Sequence, residues 1–270
     1  MKAKKIITVI LSIALVFSLL ISCNKTKAEN KTLEEVVKEA DEARASDAYL
    51  LKVKVDYSAE NEDVAGIFEQ LERIDINISF KDGSVKAVSD MSIDYGEGDT
   101  RFVTTYTAVD GVLYLDMSYS FGNAFDAIKN KASMKDDTLD LLLAKTSLVG
   151  GLKVSDFAST SMEQKNGKYV ITCSDVSTEQ IIALEKTLSS QLEGSSETVK
   201  ATDVKMSVEV EDGKYDKLTV YCTYDVTISG DVYPVSMAVE LDFDYLSYVE
   251  ITPPQDVTEY STVNVEDILD

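Results

Sequence analysis

Acidic side chains and cysteines are the chemically active residues of this 270-residue chain, because the sequence contains no histidine. Without histidine, the commonest general base and the commonest metal ligand are both missing. Two pairs of carboxylates each share one face of a predicted strand, Asp242 with Asp244 and Glu209 with Glu211. Acid–base catalysis needs a carboxylate whose pKa is shifted in a pocket. Because such pairs are typical of a solvated strand face, we predict that the chain is not an enzyme.

Acid-rich turns offer oxygen ligands for calcium at two places, Glu97-Gly98-Asp99 and Glu211-Asp212-Gly213. Neither has the residue spacing of a known calcium-binding loop. We therefore predict no metal ion and no cofactor.

The first thirty residues contain the most specific pattern in the sequence. Three lysines among the first five residues precede an apolar run, Ile6 to Leu20. At 15 residues this run is shorter than the ~20 that a membrane-spanning helix needs, and it suits a signal peptide. Leu20 is too bulky for a generic signal peptidase site, which has small residues one and three positions before the cut. A cysteine, Cys23, follows directly after Ile21 and Ser22.

Leu20-Ile21-Ser22-Cys23 resembles the bacterial lipobox, in which the cysteine is acylated and becomes the mature N-terminus. The resemblance implies that residues 1–22 are a lipoprotein signal peptide. It also implies that acyl chains on Cys23 hold the protein on the extracytoplasmic face of the cell membrane, since two or more chains anchor a protein stably. Residues 24–30 form a polar linker that reaches at most about 25 Å. We therefore expect the folded body to stay close to the membrane.

The net charge of −22 comes from 48 acids against 26 lysines and arginines. Removal of residues 1–22 takes away three lysines and no acid, so the mature chain carries −25. This balance argues against nucleic acid as a partner, because binding to phosphates requires Lys and Arg. It also opposes electrostatic docking on anionic lipids. We interpret the acidity as an aid to solubility.

The two remaining cysteines, Cys173 and Cys222, each lie on the apolar side of a predicted strand. In an exported protein such a pair is a candidate disulfide. The alternative is a pair of buried, reduced thiols that pack as small hydrophobic groups.

Hydrophobic periodicity predicts an α+β chain dominated by antiparallel strands. Apolar residues alternate with polar ones over several stretches, separated by turn signals such as Asp82-Gly83, Asp110-Gly111 and Asp212-Gly213. Helical spacing is found in three segments, 31–46, 121–149 and 178–192. One face of such a sheet is apolar and must be covered. We predict a curved antiparallel sheet, a half-open β-barrel, with helices packed into its concave apolar face. This single domain spans residues 31–254, and a loose acidic tail follows at 255–270.

The order of these elements resembles the lipoprotein-carrier superfamily, which includes the LolA/LolB lipoprotein-sorting proteins and the LppX/LprG glycolipid-binding lipoproteins. The resemblance rests on the N-terminal helix, the one-sided meander, the hairpin Val109 to Leu115, the inserted helices and the closing run Val249 to Pro253. It implies that an acyl-chain ligand, a lipid or a lipoprotein, binds in the concavity. The candidate lining residues are Leu51, Val53, Ile76, Ile78, Met91, Ile93, Phe102, Met206, Val208, Val239, Leu241 and Phe243, with Phe125, Ile128 and Leu142 as lid contacts.

Ordinary core packing is the alternative for each of these residues. The protein would then be a cell-envelope interaction module with a filled core, whose unidentified protein partner binds an exposed apolar patch on the convex side. Tyr114 and Tyr221 are the candidates for such a patch.

Overall fold

The computed structural model describes residues 31–62, 65, 71–94, 99–121, 124–139, 142, 152–182, 185, 198–228, 231–246 and 249–269. The predictions for residues 1–30, including acylation of Cys23, lie outside these residues, as does the Gly98 turn. The helices and strands are α1 (Leu33–Ser46), β1 (Tyr49–Ala59), β2 (Leu71–Lys81), β3 (Ser84–Asp94), β4 (Asp99–Val109), β5 (Val112–Phe121), β6 (Ala124–Ser133), β7 (Phe157–Lys165), β8 (Lys168–Val176), β9 (Thr198–Glu211), β10 (Lys214–Ile228), β11 (Asp231–Asp244), β12 (Ser261–Thr262) and α2 (Glu266–Leu269).

All twelve strands belong to one large, open, curved sheet, in the order β12-β6-β5-β4-β3-β2-β1-β11-β10-β9-β8-β7. Two antiparallel meanders, β1–β6 and β7–β11, join where β1 pairs with β11. The sheet is mixed, because β12 pairs with β6 in parallel. The prediction of a curved sheet with helices is confirmed in this coarser form. Among the described residues, no helix combines the length and the apolar character needed to span a membrane.

Four two-residue turns lie together at one end of the sheet, which we call the hairpin end. Each consists of an acid or asparagine followed by glycine, both with positive φ: Asp82-Gly83, Asp110-Gly111, Asn166-Gly167 and Asp212-Gly213. These angles match a type I′ turn, whose twist suits antiparallel strands and which favours Asp-Gly and Asn-Gly. These turns fix the register of their hairpins.

One face of the sheet, the core face, carries the hydrophobic core. It includes Ile78, Leu113, Ile171, Val220 and Val239, all essentially inaccessible to solvent. The helices contribute Val36 and Ala40 from α1 and also Leu142. Helix α1 begins with a capping box, in which the Thr32 side chain and the Glu35 side chain each bond the other residue's backbone N–H.

Helix α1 crosses the strands at the hairpin end. The Tyr215 hydroxyl donates a hydrogen bond of 2.9 Å to Asp41, and Lys214 pairs with Asp47 at 2.6 Å. Below the helix an aromatic cluster gathers around Tyr49, whose ring lies 4.6 Å from Phe80 and 5.7 Å from Phe243, centroid to centroid. The hairpin end is therefore closed by packing.

The prediction of a helix at 121–149 is wrong for residues 121–133. Phe121 ends β5, and residues 124–133 form β6, which pairs with β5 from Val112↔Ser133 to Phe121↔Ala124. Pairing with a neighbouring strand overrides the helical spacing of Phe121, Phe125, Ile128 and Ala132. Residues 138, 139 and 142 are helical, as are 178–182 and 185, in agreement with the sequence prediction at those positions.

The C-terminal segment packs on the sheet, whereas the sequence predicted a loose tail. Residues 249–269, which we call the clasp, begin on the outer face, where Tyr260 packs edge-on against Tyr114 at 5.5 Å. The clasp then pairs with the edge of β6 through β12 and buries Val265 and Ile268 in the main core. Without the clasp, β6 would be an exposed edge strand, and β12 covers part of that edge.

Candidate functional site

Three of the four carboxylates singled out from the sequence, Asp242, Glu209 and Glu211, belong to ion-pair networks on the outer face. Glu240 and Asp242 lie 2.9 and 3.0 Å from the ammonium group of Lys54, and 2.8 and 3.6 Å from that of Lys217. The hydrogen bonds from Lys217 and Lys54 lower the pKa of Glu240. These hydrogen bonds favour the ionised form of Glu240.

Glu209 and Glu211 share the second network with Lys168, at 3.8 and 3.2 Å. Asp216 joins the same lysine at 2.5 Å. Among the described residues, no group of three metal-ligating side chains is close enough to hold an ion.

The candidate disulfide is wrong, because Cys173 and Cys222 are both free and buried. They lie on strands β8 and β10, which are separated by β9: Cys173 pairs with Met206 and Cys222 with Val204. Two strand spacings amount to about 10 Å, whereas a disulfide needs Cα atoms within about 7 Å. Burial raises the pKa of the Cys173 thiol to about 12 and that of Cys222 to about 11.

Most predicted lining residues lie inside the packed core. Their side chains are buried and form one continuous cluster with α1, which is the packing alternative considered above. These residues are Leu51, Val53, Ile76, Ile78, Leu142, Met206, Val208, Val239 and Leu241. Phe243 is half-buried in the aromatic cluster at the hairpin end.

At the opposite end of β2–β6 the core face becomes partly accessible, and large apolar side chains share it with Ser89, Thr104 and Asp126. We call this region the rim; its described apolar side chains are Ile74, Met91, Phe102, Met117, Tyr119, Phe121 and Ile128. The first four are half-buried, while Tyr119, Phe121 and Ile128 are 41%, 47% and 43% exposed. Neighbours such as Leu113 and Leu115 on β5 are buried. The apolar face therefore continues past the point where the described core covers it.

Register brings the rim residues together on one face. Phe102 pairs with Met91 on one side and with Tyr119 on the other. The rings of Phe102 and Tyr119 stack at 6.3 Å, and Ile128 pairs with Met117. Three predicted lining residues, Met91, Phe102 and Ile128, thus lie in the rim. Ile93 lies in β3 opposite Thr100, and its side chain is outside the described part of the structure.

Phe125 does not belong to the rim. It pairs with Ser120 on the outer face and is 72% exposed. Its predicted role as a lid contact is wrong because residues 124–133 form a strand, in which Phe125 and Ile128 point to opposite faces.

Sequence reasoning missed Met117, Tyr119 and Phe121, although a signal for them exists. Alternation on β5 continues unbroken through Leu113, Leu115, Met117, Tyr119 and Phe121. The predicted helical segment began at residue 121, so the last apolar positions of β5 were not recognised as one face.

A polar group is buried beside the rim. Thr100 is 5% exposed and pairs with Phe121, and its register places it on the core face. Within the described part of the chain its hydroxyl has no hydrogen-bond partner. A buried hydroxyl without a partner costs about 1–3 kcal/mol.

The two tyrosines that were candidates for an apolar patch on the outer face have different surroundings. Tyr114 is buried beneath Tyr260, whose hydroxyl donates a 3.2 Å hydrogen bond to Asp116. Tyr221 is exposed among polar neighbours on β10. The two tyrosines predicted to share a patch therefore do not form one.

The chain matches no protein-family model and no curated protein. Eleven solved chains show similarity. An N-terminal dehydratase from the difficidin assembly line is 8% identical, with a TM-score of 0.17, over 71% of this chain and 93% of that one. The CurJ dehydratase, an inactive mutant in complex with a compound, is 8% identical with a TM-score of 0.17, over 72% of this chain and 92% of that one. A fusion DH domain is 9% identical with a TM-score of 0.16, over 68% of this chain and 73% of that one.

The comparison contradicts the prediction that the chain is not an enzyme, because these neighbours are dehydratase domains. TM-scores of 0.16–0.17 assign this chain neither their fold nor their activity.

Proposed function

We propose that the protein is a membrane-anchored extracytoplasmic lipoprotein of the LolA/LppX kind, acylated at Cys23, that binds an acyl-chain ligand at the rim. The observation that carries the proposal is the half-exposed apolar surface of Tyr119, Phe121 and Ile128, on the face that elsewhere forms the core. Large apolar side chains left accessible on a core-forming face are a feature of ligand-binding surfaces.

The size of the rim suits an acyl chain. Met117, Tyr119 and Phe121 form a strip about 13 Å long on β5, and the four strands β3–β6 span about 14 Å. A stable protein interface buries about 800 Å² per partner. The rim is smaller than that, so a slender apolar ligand suits it better than a folded protein.

Packing of helical residues against the core face supports a half-open barrel with the rim at its mouth. Val36 and Ala40 lie on α1, whose Asp41 and Asp47 contact Tyr215 and Lys214 at the hairpin end. They fill the hairpin end, and the apolar surface at the other end is left for a ligand. A curved sheet with one filled and one open end is the arrangement that the lipoprotein-carrier resemblance implies.

Thr100 would bind the polar end of the ligand once neighbouring side chains shift to open its hydroxyl, which is buried in the structure. Its buried hydroxyl can donate a hydrogen bond to an ester or amide carbonyl next to the chain. The net charge of −25 on the mature chain, −22 less the three lysines of residues 1–22, disfavours an anionic head group. We therefore propose neutral, ester- or amide-linked acyl chains as the ligand class.

A fluorescent monoacylglycerol tests this proposal, titrated into the mature chain (residues 23–270) expressed without lipid. We expect saturable binding that unlabelled monopalmitoylglycerol displaces, and weaker binding of the fatty acid of equal length. The Thr100→Val variant should bind about tenfold more weakly, since one hydrogen bond is lost. Thr160→Val, at an exposed position on β7, is the matched control. Non-saturable uptake, or equal binding of a short-chain analogue, would refute the proposal.

A further inference from the structure

Part of one sheet edge lies uncovered beside the rim. Among the described residues, β12 pairs with β6 only at residues 130 and 131, and we call the stretch 124–128 of β6 the open edge. Large apolar side chains flank it on both faces, since Phe125 is 72% exposed on the outer face and Ile128 is 43% exposed on the core face. A strand added here would cover both side chains. The opposite edge of the sheet, β7, carries mostly polar side chains.

The open edge directs main-chain groups away from the sheet. The Val263 N–H donates to the Lys131 carbonyl at 3.1 Å, so the peptide groups of Lys131 point away from β5. Because this direction alternates along a strand, the peptide groups of Phe125 and Ala127 also point outward. The Ala127 N–H agrees with this direction, because it donates to the neighbouring Asp126 carboxylate at 2.8 Å. One more strand can therefore extend the ladder at the open edge.

Asp126 lies at the centre of the open edge and opposes pairing with a second copy of the chain. Antiparallel pairing of two open edges over their whole length would place the two Asp126 residues directly opposite each other. Their peptide groups point inward, so they would form the closer, non-hydrogen-bonded kind of pair, with Cα atoms about 4.5 Å apart. Like charges directly opposite each other are destabilising, and two mature chains of −25 also repel each other. A second copy therefore does not suit this edge.

We propose that the open edge binds an extended segment of a different polypeptide, with a lysine or arginine opposite Asp126. An opposite charge at this position stabilises cross-strand pairing, and the negative charge of the chain attracts a basic segment. The Asp126 carboxylate then pairs with the incoming cation, and the Ala127 N–H joins the new ladder. This interaction goes beyond the proposed function, because it requires neither acylation of Cys23 nor a ligand at the rim.

A charge reversal at Asp126 makes the chain itself the probe. The Asp126→Lys variant carries a cation at the centre of its open edge, so it offers a strand of the proposed chemistry to the wild-type edge. Sedimentation velocity is measured for the mature chain (residues 23–270), for the variant and for their equimolar mixture, over a concentration series in reducing buffer. We expect each chain alone to be monomeric. The mixture should form a heterodimer about tenfold more tightly than either chain pairs with itself, because an opposite-charge pair replaces a like-charge pair.

Two control variants locate the contact. Asp136→Lys makes the same change of net charge at an exposed position outside the open edge, and its mixture with the wild type should stay monomeric. Ala127→Pro, introduced into both chains, removes an outward N–H, which an edge strand tolerates. It should abolish the heterodimer and leave the thermal melt of each chain cooperative.

A mixture of wild type and Asp126→Lys that stays monomeric would overturn the inference. Homodimers of the wild type would also overturn it, because the second copy would then be the occupant of the edge. Equal association of Asp136→Lys would reduce the effect to net charge, and a heterodimer that persists in folded Ala127→Pro chains would place the contact elsewhere; both results contradict the proposal. If Ala127→Pro does not fold, the comparison of Asp126→Lys with Asp136→Lys decides the outcome.

Discussion

Replacement of Ile128 by aspartate should abolish most of the acyl-chain binding and leave the fold intact. Ile128 lies on the core face of β6 opposite Met117 and is 43% exposed. Its exposed part is the surface that a ligand would cover. Because the side chain is already half in water, the substitution leaves no deep cavity.

The loss of affinity has two parts. Full burial of an isoleucine side chain is worth about 1.5–3 kcal/mol, so covering the exposed 43% contributes about 0.6–1.3 kcal/mol. Burying a polar group without a partner costs about a further 1–3 kcal/mol. The sum, about 2–4 kcal/mol, corresponds to a loss of at least about 30-fold in affinity.

Phe125→Asp is the matched control. It adds the same charge to the same strand, three residues away, and removes a more exposed apolar side chain from the outer face. We expect its affinity for the fluorescent monoacylglycerol to equal that of the wild type. Chemical denaturation of both variants should give free energies of unfolding within about 1 kcal/mol of each other.

The two variants separate a specific site from general surface hydrophobicity. If Phe125→Asp weakened binding as much as Ile128→Asp, the ligand would be following exposed apolar area and the rim would have no special role. Unchanged affinity in Ile128→Asp would remove β6 from the binding surface.

Three further predictions concern the fold. Glu240→Gln should lower the free energy of unfolding at pH 7, because hydrogen bonds from Lys217 and Lys54 lower the pKa of Glu240 in the folded state. In urea unfolding at a series of pH values, the difference from wild type should shrink as the pH falls below the unfolded pKa of about 4.3, and it should be lost below the lower folded pKa. A difference that does not change with pH would contradict this role of Glu240. A thiol reagent at pH 8 should leave Cys173 and Cys222 unmodified in the native chain and modify both in denaturant, since burial raises the pKa of both thiols. Rapid reaction of the native chain would contradict two buried free thiols, as would a chain mass 2 Da lower, which indicates a disulfide. Gly111→Ala should lower the free energy of unfolding by about 1–2 kcal/mol, measured by thermal melts, because φ is +78° at this position. Asp110→Asn should leave the free energy of unfolding unchanged in the same melts. Equal effects of the two substitutions would contradict a type I′ turn.

Strand positions could be predicted wherever alternation and a turn signal coincide. The hairpin β4–β5 meets both conditions, because Asp110-Gly111 separates two alternating runs. The opposite case is β7, Phe157–Lys165, whose side chains are mostly exposed at the edge of the sheet and give no alternation. The turn that follows it, Asn166-Gly167, is its local signal in the sequence.

The candidate site could be predicted only in part, because burial depends on tertiary packing. Alternation placed Ile78 and Met91 on one apolar face, but it does not show that Ile78 lies in the core and Met91 in the rim. The clasp shows the same limit, since its sequence is acidic and its docking depends on Tyr260 reaching Tyr114. Thr100 gave no signal, because its missing partner is a property of the folded environment.

A photoreactive acyl chain tests the central claim most directly. A monoacylglycerol with a diazirine near the end of its chain is irradiated with the mature chain, and the modified residues are identified by peptide mass spectrometry. The rim predicts modification of residues on the core face of β3–β6, at Met91, Phe102, Met117, Tyr119 or Ile128, and its loss in the presence of excess unlabelled monoacylglycerol. Modification confined to Phe125 and other outer-face residues, or unaffected by competitor, would contradict an acyl-chain site at the rim.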